Sequence, residues 1–397
     1  MNVLVVADAF PMPDRTSADF RLTELLSMIA QEHHVFFFAI SAQNQIAALG
    51  KDEVARYREM LAKRGITAVE GSIKGALKAR EYAVVMFEWY FTARYLLAEI
   101  RARQPRARVI VDTVDVVFNR LEAKARLTQA RSDIAKAAET KVAELAVYAN
   151  ADIVITVTDA DAAILHREGS DVVTFTIPNI HPRQDLPPPP PENEKRLVFI
   201  GSFSHEPNVD AMRYFCRDVL PLIVAVEPEV RLRIIGNGPT PEITALASDH
   251  VEVLGFVPDT RPFLESSAIS IAPLRFGGGM KGKIGEAMSH ALPVVTTSTG
   301  IEGFGLQPGR DALVGDDART FAASVTHLLR DREYREQIRM AGYRFMREHY
   351  SDIAARERVR TLLVNLEGYP IRQMPPSQRW LFGVKDAWDQ HLGWRLR

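Results

Sequence analysis

The chain has 397 residues, a formal net charge of −1 and one cysteine, Cys216. With 47% hydrophobic and 25% charged residues, the composition excludes wholesale disorder, a collagen-like chain and a coiled coil. The charge balance excludes a surface built throughout for nucleic acid, and one cysteine excludes an intramolecular disulfide. No apolar run is long enough to span a bilayer. The opening MNVLVVADAF lacks the basic stretch of a signal peptide and reads as a buried strand. The expected location is the cytoplasm, with the inner membrane face as an alternative. In the first half, short apolar runs fall at residues 3–6, 35–40, 84–87, 109–111, 153–157 and 172–176. In the second half they fall at 197–200, 232–235, 251–254, 269–272, 293–297 and 312–314. Continuous apolar runs are strands buried on both faces, and their alternation with helical stretches implies parallel sheets. The reading is therefore α/β, with two doubly wound parallel-sheet domains.

Five prolines at 187–191 mark a stiff linker, taken as 187–195, between domains at 1–186 and 196–365. Helical pattern covers 321–365 with a break near Tyr350 and Ser351. The remaining stretch, 366–397, carries Trp380, Trp388 and Trp394 among basic residues. It is expected to pack back on the first domain, with a membrane surface or a protein partner as alternatives.

Segment 273–300, PLRFGGGMKGKIGEAMSHALPVVTTSTG, carries the strongest chemical signal. Gly277, Gly278 and Gly279 follow a strand, and Lys281 and Lys283 stand where the next helix opens. Glycines let the backbone approach a ligand, and a helix start offers free N–H groups. Two lysines there call for more negative charge than one carboxylate, as in a diphosphate. Gly201 and Ser202, Asn237 and Gly238, and Phe256 and Val257 lie in three further strand-end loops on the same edge. On the first domain, Asp112, Asp115 and Arg120 follow a strand, and the loop 8–21 brings Asp14 and Arg15. These are candidate acid–base or sugar-hydroxyl contacts on the acceptor side. Glu88, Trp89 and Tyr90 also end a strand and shape that surface. The sequence has no P-loop, no G-x-S-x-G elbow, no H-E-x-x-H and no dinucleotide fingerprint after the first strand. No metal and no cofactor are expected.

The landmarks FIGSFSHEPNVDAM at 199–212, RIIGNGP at 233–239, VEVLGFVPD at 251–259 and the 271–297 segment resemble the donor domain of GT-B glycosyltransferases. More specifically they resemble retaining glycosyltransferase family four, the glycosyl transferases group 1. REHYS at 347–351 continues the likeness, and VIVDTVDVVFNR and ADIVITVTDADAAIL…IPN extend it weakly into the first half. The resemblance implies two Rossmann-like domains facing a cleft, with a C-terminal segment crossing back. It implies a nucleoside diphosphate sugar on the second domain, and a glycan or lipid-linked acceptor on the first. Lys281 and Lys283 would contact the diphosphate, Glu286 the ribose, and Gly201 and Ser202 the phosphate side. Asp115 falls near the donor sugar, so Lys281, Lys283 and Asp115 form the candidate catalytic set. The family carries a glutamate where this chain has Gly278, and Gly279 and Met280 amides would orient the sugar instead. The activity implied is metal-independent transfer with retention, in bacterial surface polysaccharide synthesis. The competing readings are a non-catalytic nucleotide-sugar module and a nucleotide-sugar 2-epimerase.

Overall fold

The computed structural model describes residues 1–168, 171–181, 184–191 and 194–373. Seven strands form the first sheet: β1 (Asn2–Ala7), β2 (His34–Ala39), β3 (Ile66–Ala68), β4 (Val84–Glu88), β5 (Arg108–Asp112), β6 (Ile153–Thr156) and β7 (Thr174–Thr176). Their order is β3-β2-β1-β4-β5-β6-β7, and every pairing is parallel. Six strands form the second sheet: β8 (Arg196–Ile200), β9 (Arg231–Ile235), β10 (Val251–Gly255), β11 (Ile269–Ala272), β12 (Val294–Thr296) and β13 (Leu313–Val314). Their order is β10-β9-β8-β11-β12-β13, again all parallel. This is the GT-B architecture of two Rossmann-like domains expected above. The strand that the apolar runs missed is β3, whose three residues carry one buried side chain, Ile66.

Two-residue alternation sends Val3, Val5 and Ala7 into one core and Leu4 and Val6 into the core on the opposite face. Val198 and Phe199 divide in the same way in the second sheet. Each sheet is thus dry on both faces, which is why its strands read as unbroken apolar runs.

The helical stretch near the C-terminus is three helices, Ala318–Arg330, Arg332–His349 and Asp352–Val364. It breaks at Asp331, which caps the second helix through Tyr334 N–H, as well as at Ser351, which caps the third through Ala354 N–H. The return to the first domain begins earlier than residue 366. Ala355, Val359 and Leu362 of the third helix already sit in the core beside β1 and β4. Beyond them Arg108 donates to the Glu367 carbonyl at 3.1 Å, and Arg372 N–H donates to Asp152 Oδ1 at 2.5 Å. The tryptophan-rich part of the expected tail, 374–397, lies outside the described residues. The proline-rich connection runs along the helix Arg332–His349, where Tyr343 donates to the Gln184 carbonyl at 2.8 Å and Arg339 to that of Pro187.

Each sheet reverses strand order at its centre, between β1 and β4 and between β8 and β11. Ligands of open α/β sheets bind outside the carboxyl ends of the strands at such a point. The two switch points face each other across one cleft.

Candidate functional site

The cleft has a volume of about 690 Å³ and is lined by both domains. On the second-domain side, β11 leads through the glycine loop into the helix Gly282–Ser289, which begins at Lys281 with no side-chain cap. The helix Glu206–Tyr214 after β8 begins at His205, also without a side-chain cap. Both starts line the cleft, so their first N–H groups and positive dipole ends are available to an anion.

The loops are pressed together so tightly that glycine is required. A Cβ on Gly236 would lie 1.9 Å from the Gly201 carbonyl oxygen, and one on Gly201 would lie 2.8 Å from Asn208 Nδ2. Lys283 Nζ donates to Asn208 Oδ1 at 2.8 Å and lies 5.4 Å from the centre of the Phe199 ring. Burial, with the Lys281 charge beside it, pulls the Lys283 ammonium down to about 8. Lys281 Nζ is buried with no hydrogen-bond partner among the described residues, 3.7 Å from Glu302 Oε2, and burial lowers its pKa too. Two desolvated ammonium groups at an uncapped helix start are a strong electrostatic demand for an anion. His205 is held neutral, its pKa pushed down to about 3 by burial and then by Arg120, Lys283 and Lys281. Glu286 accepts from Thr260 Oγ1 at 2.6 Å, and burial raises its pKa.

A pH dependence follows. Lys283 titrates in the folded protein near 8, below its ordinary 10.5. Between those values the unfolded chain holds the proton that the folded chain has lost, so this group makes stability rise with pH across the window. A bound diphosphate restores the proton, so nucleotide affinity has the opposite slope. The Kd of a nucleoside diphosphate should weaken by up to about tenfold per pH unit above about 8. Calorimetric titrations from neutral pH to pH 9.5 in two buffers of different ionisation heat would read the slope and the proton uptake.

The first-domain side is built from the loops after β1, β4 and β5. Asp14 accepts from Tyr57 Oη and Arg56, both at 2.8 Å, and Arg15 donates to Glu53 and Tyr57, both at 3.2 Å. The Arg15 guanidinium also lies 5.7 Å from the Phe256 ring of the second domain. Asp115 lines the cleft. Its Oδ2 accepts from Arg120 Nε at 2.7 Å, while its Oδ1 is buried with no partner among the described residues. The preceding Val114 stands at a φ of 57°, a costly conformation for a β-branched residue that turns this segment toward the glycine loop.

That segment explains Gly278. A Cβ there would lie 3.0 Å from Arg120 Cβ and 3.1 Å from Asp115 Oδ2, and one on Gly279 would lie 2.9 Å from Asp115 Cβ. The Asp115–Arg120 pair occupies the room that a larger side chain at position 278 would need. A carboxylate thus reaches this part of the cleft from the first domain.

The cleft brings together Asp14, Arg15, Asp115, Gly201, Ser202, Asn237, Phe256, Val257, Gly278, Met280, Lys281, Lys283 and Glu286. Gly279 backs onto Asp115 just behind them, and Gly238 turns at φ 62° beside Asn237. Arg120 acts through Asp115. Asp112 does not join the site. It is fully buried, and its Oδ2 accepts from Arg21 at 2.5 Å, while Arg21 also donates to the carbonyls of Ile177 and Pro178 at 2.8 and 3.3 Å. Its expected acceptor-side role gives way to a buried ion pair, because its carboxylate balances the charge of the buried Arg21 guanidinium.

Sequence reasoning missed three bridging groups. Asn179 donates to the Met280 carbonyl at 2.9 Å across the domains, and Lys124 pairs with Glu206 at 2.8 Å. His181, buried and pushed down to about 4, packs against Gly285. Asn179 ends the IPN motif, so a signal for it existed; the other two carry none.

Residues 194–331 match the family model described as Glycosyl transferases group 1. The chain is 24% identical over 163 residues to an uncharacterized 44.6 kDa protein in the cps region of Klebsiella pneumoniae. That match covers 39% of this chain and 42% of the relative, so it spans less than half of the relative's length. Among solved structures, Anabaena HepE in complex with UDP and glucose superposes with a TM-score of 0.67 at 13% identity, covering 91% of this chain and 99% of that one. Sucrose-phosphate synthase from Thermosynechococcus elongatus gives 0.70 at 15% identity, covering 93% and 100%. A variant of Staphylococcus aureus TarM, solved with fondaparinux, alpha-GlcNAc-glycerol and UDP, gives 0.57 at 15%, covering 70% and 55%. At these identities the superpositions speak to the fold.

Proposed function

We propose that this chain is a glycosyltransferase that moves a sugar from a nucleoside diphosphate sugar to a glycan or lipid-linked acceptor, with retention of configuration and without a metal ion. The observation that carries the reading is the pair Lys281 and Lys283, desolvated at an uncapped helix start on the second sheet's switch point. The hard step is departure of the nucleoside diphosphate as positive charge builds on the sugar. Two ammonium groups and the helix N–H groups meet the growing negative charge, in place already and without reorganisation. Glu286, oriented by Thr260, would take the ribose hydroxyls.

Retention is supported by what faces the sugar. Asp115 is engaged by Arg120, and His205 is neutral but lies at the phosphate side. The acceptor proton is then passed to the leaving phosphate on the same face. Cross-domain contacts by Asn179, Lys124 and Arg15 hold the two walls of the cleft together. The relative in a cps region supports a role in surface polysaccharide synthesis.

A thermal-shift panel of UDP, GDP, dTDP, ADP and CMP, with and without magnesium, tests the reading. One diphosphate should raise the unfolding midpoint equally in both conditions, stabilising by about 2.7 kcal/mol at a hundred times its Kd. No response to any nucleotide in a folded sample would refute the site. Proton NMR of the first transfer product would then report the anomeric configuration directly.

A further inference from the structure

Two residues of the cleft remain outside that chemistry, and both lie where β4 ends. Trp89 has φ 68° and ψ 147°. A bulky aromatic residue in this region is strained, and such strain persists only where neighbours enforce it. Here the Trp89 N–H donates to the Asp112 carbonyl and Thr92 Oγ1 donates to the Trp89 carbonyl, both at 2.8 Å. Its ring stacks on Phe91 with centroids 5.8 Å apart and planes 17° apart. The result is a flat, braced, half-buried indole on the wall of the cleft.

Glu88 precedes it, with 6% of its surface exposed and lining the same cleft. Among the described residues nothing hydrogen-bonds its carboxyl. A buried carboxyl without a protein partner is costly, and the open side from which a partner can come is the cleft. Burial, reinforced by Asp19 and Asp112, holds its pKa well above the ordinary range, with Arg21 opposing. Asp19, also on the cleft wall, is raised to about 6 by burial. A carboxyl accepts from a hydroxyl and, when protonated, also donates to one, as a sugar hydroxyl that does both requires.

We propose that Glu88 and Trp89 form the acceptor subsite and that it takes a pyranose ring, with the indole against the ring's C–H face and the carboxyl on its hydroxyls. An open-chain polyol offers no such face. The inference rests on the transferase reading for its role, while its test does not depend on transfer. Saturation-transfer NMR would be recorded with the methyl α-glycosides of glucose, galactose, mannose and N-acetylglucosamine, and with glycerol, each with and without UDP. At least one glycoside should bind through ring protons, with glycerol much weaker. Trp89→Ala and Glu88→Ala should each weaken it about tenfold or more, whereas Glu88→Gln, which also donates and accepts, should stay within about threefold. Any nucleotide-induced midpoint shift should persist in all three variants, which certifies their fold and donor side. Octyl glycosides binding tighter than methyl ones would identify a lipid-linked sugar, and equal binding a free glycan. No glycoside binding, glycerol binding equally well, alanine variants binding like the parent, or a loss in Glu88→Gln as large as in Glu88→Ala would overturn the proposal. A silent nucleotide panel beside intact glycoside binding would instead refute the transferase reading alone.

Discussion

Lys281→Met should leave the protein at least as stable as the parent and lower sugar transfer by about 10²–10³-fold, the loss expected for one preorganised contact to a developing anion. Its ammonium is buried, has no hydrogen-bond partner among the described residues, and lies 3.7 Å from a half-exposed Glu302. Burying that charge costs folding free energy that Glu302, Asp161 and Asp115 offset only in part. A thioether of similar length fills the same space without the charge. Because the contact strengthens as the diphosphate leaves, kcat and kcat/KM should fall together while KM changes little. Lys283→Met should behave similarly in turnover but also free Asn208, whose Oδ1 now accepts from Nζ. It should further abolish the affinity slope above pH 8. Steady-state kinetics and melting curves of both variants check the claim. A Lys281→Met enzyme that is destabilised and fully active would contradict it.

Asp112→Ala should destabilise the protein by about 3–5 kcal/mol, because it strands the Arg21 guanidinium in a dry interior. Arg21 and Asp112 are both at most 1% exposed. The two carbonyls that Arg21 also reaches, Ile177 and Pro178, keep its hydrogen bonds but cannot balance its charge. The paired replacement Arg21→Met with Asp112→Leu should recover most of the loss, since a buried pair contributes little over apolar residues of similar size. Urea unfolding followed by tryptophan fluorescence would measure both, reading the midpoint because two domains need not unfold as one transition. Nucleotide affinity of the folded Asp112→Ala protein should be unchanged, which separates its role from that of Asp115 three residues on.

Much of the second-domain wall of the cleft was legible from residue order. Glycine–lysine spacing after β11, glycines after β8 and β9 and the glycine that ends β10 are local properties of the chain, and parallel α/β topology sends all four loops to one edge. The same local logic could not separate Asp112 from Asp115. Both are acids just past an apolar run, and both are buried, but a pairing partner 91 residues away at Arg21 decides which one is kept from the cleft. Nor could it show why Gly278 is small, since the obstructing Asp115 and Arg120 belong to the other domain. Short β3 escaped because three residues with one buried side chain make no apolar run.

The sequence by itself determined the two sheets and their parallel sense, and it singled out the glycine–lysine loop after β11. Each of these follows from side-chain periodicity, glycine freedom and helix-start chemistry within a few neighbouring residues. Only the tertiary structure decided which charges are spent and which are kept. It pairs Asp112 with Arg21, leaves Lys281 and Glu88 in the cleft wall without hydrogen-bond partners among the described residues, and holds Trp89 in a strained turn. Desolvation and pairing depend on groups that the chain brings from far away, and they convert an ordinary lysine or glutamate into a site.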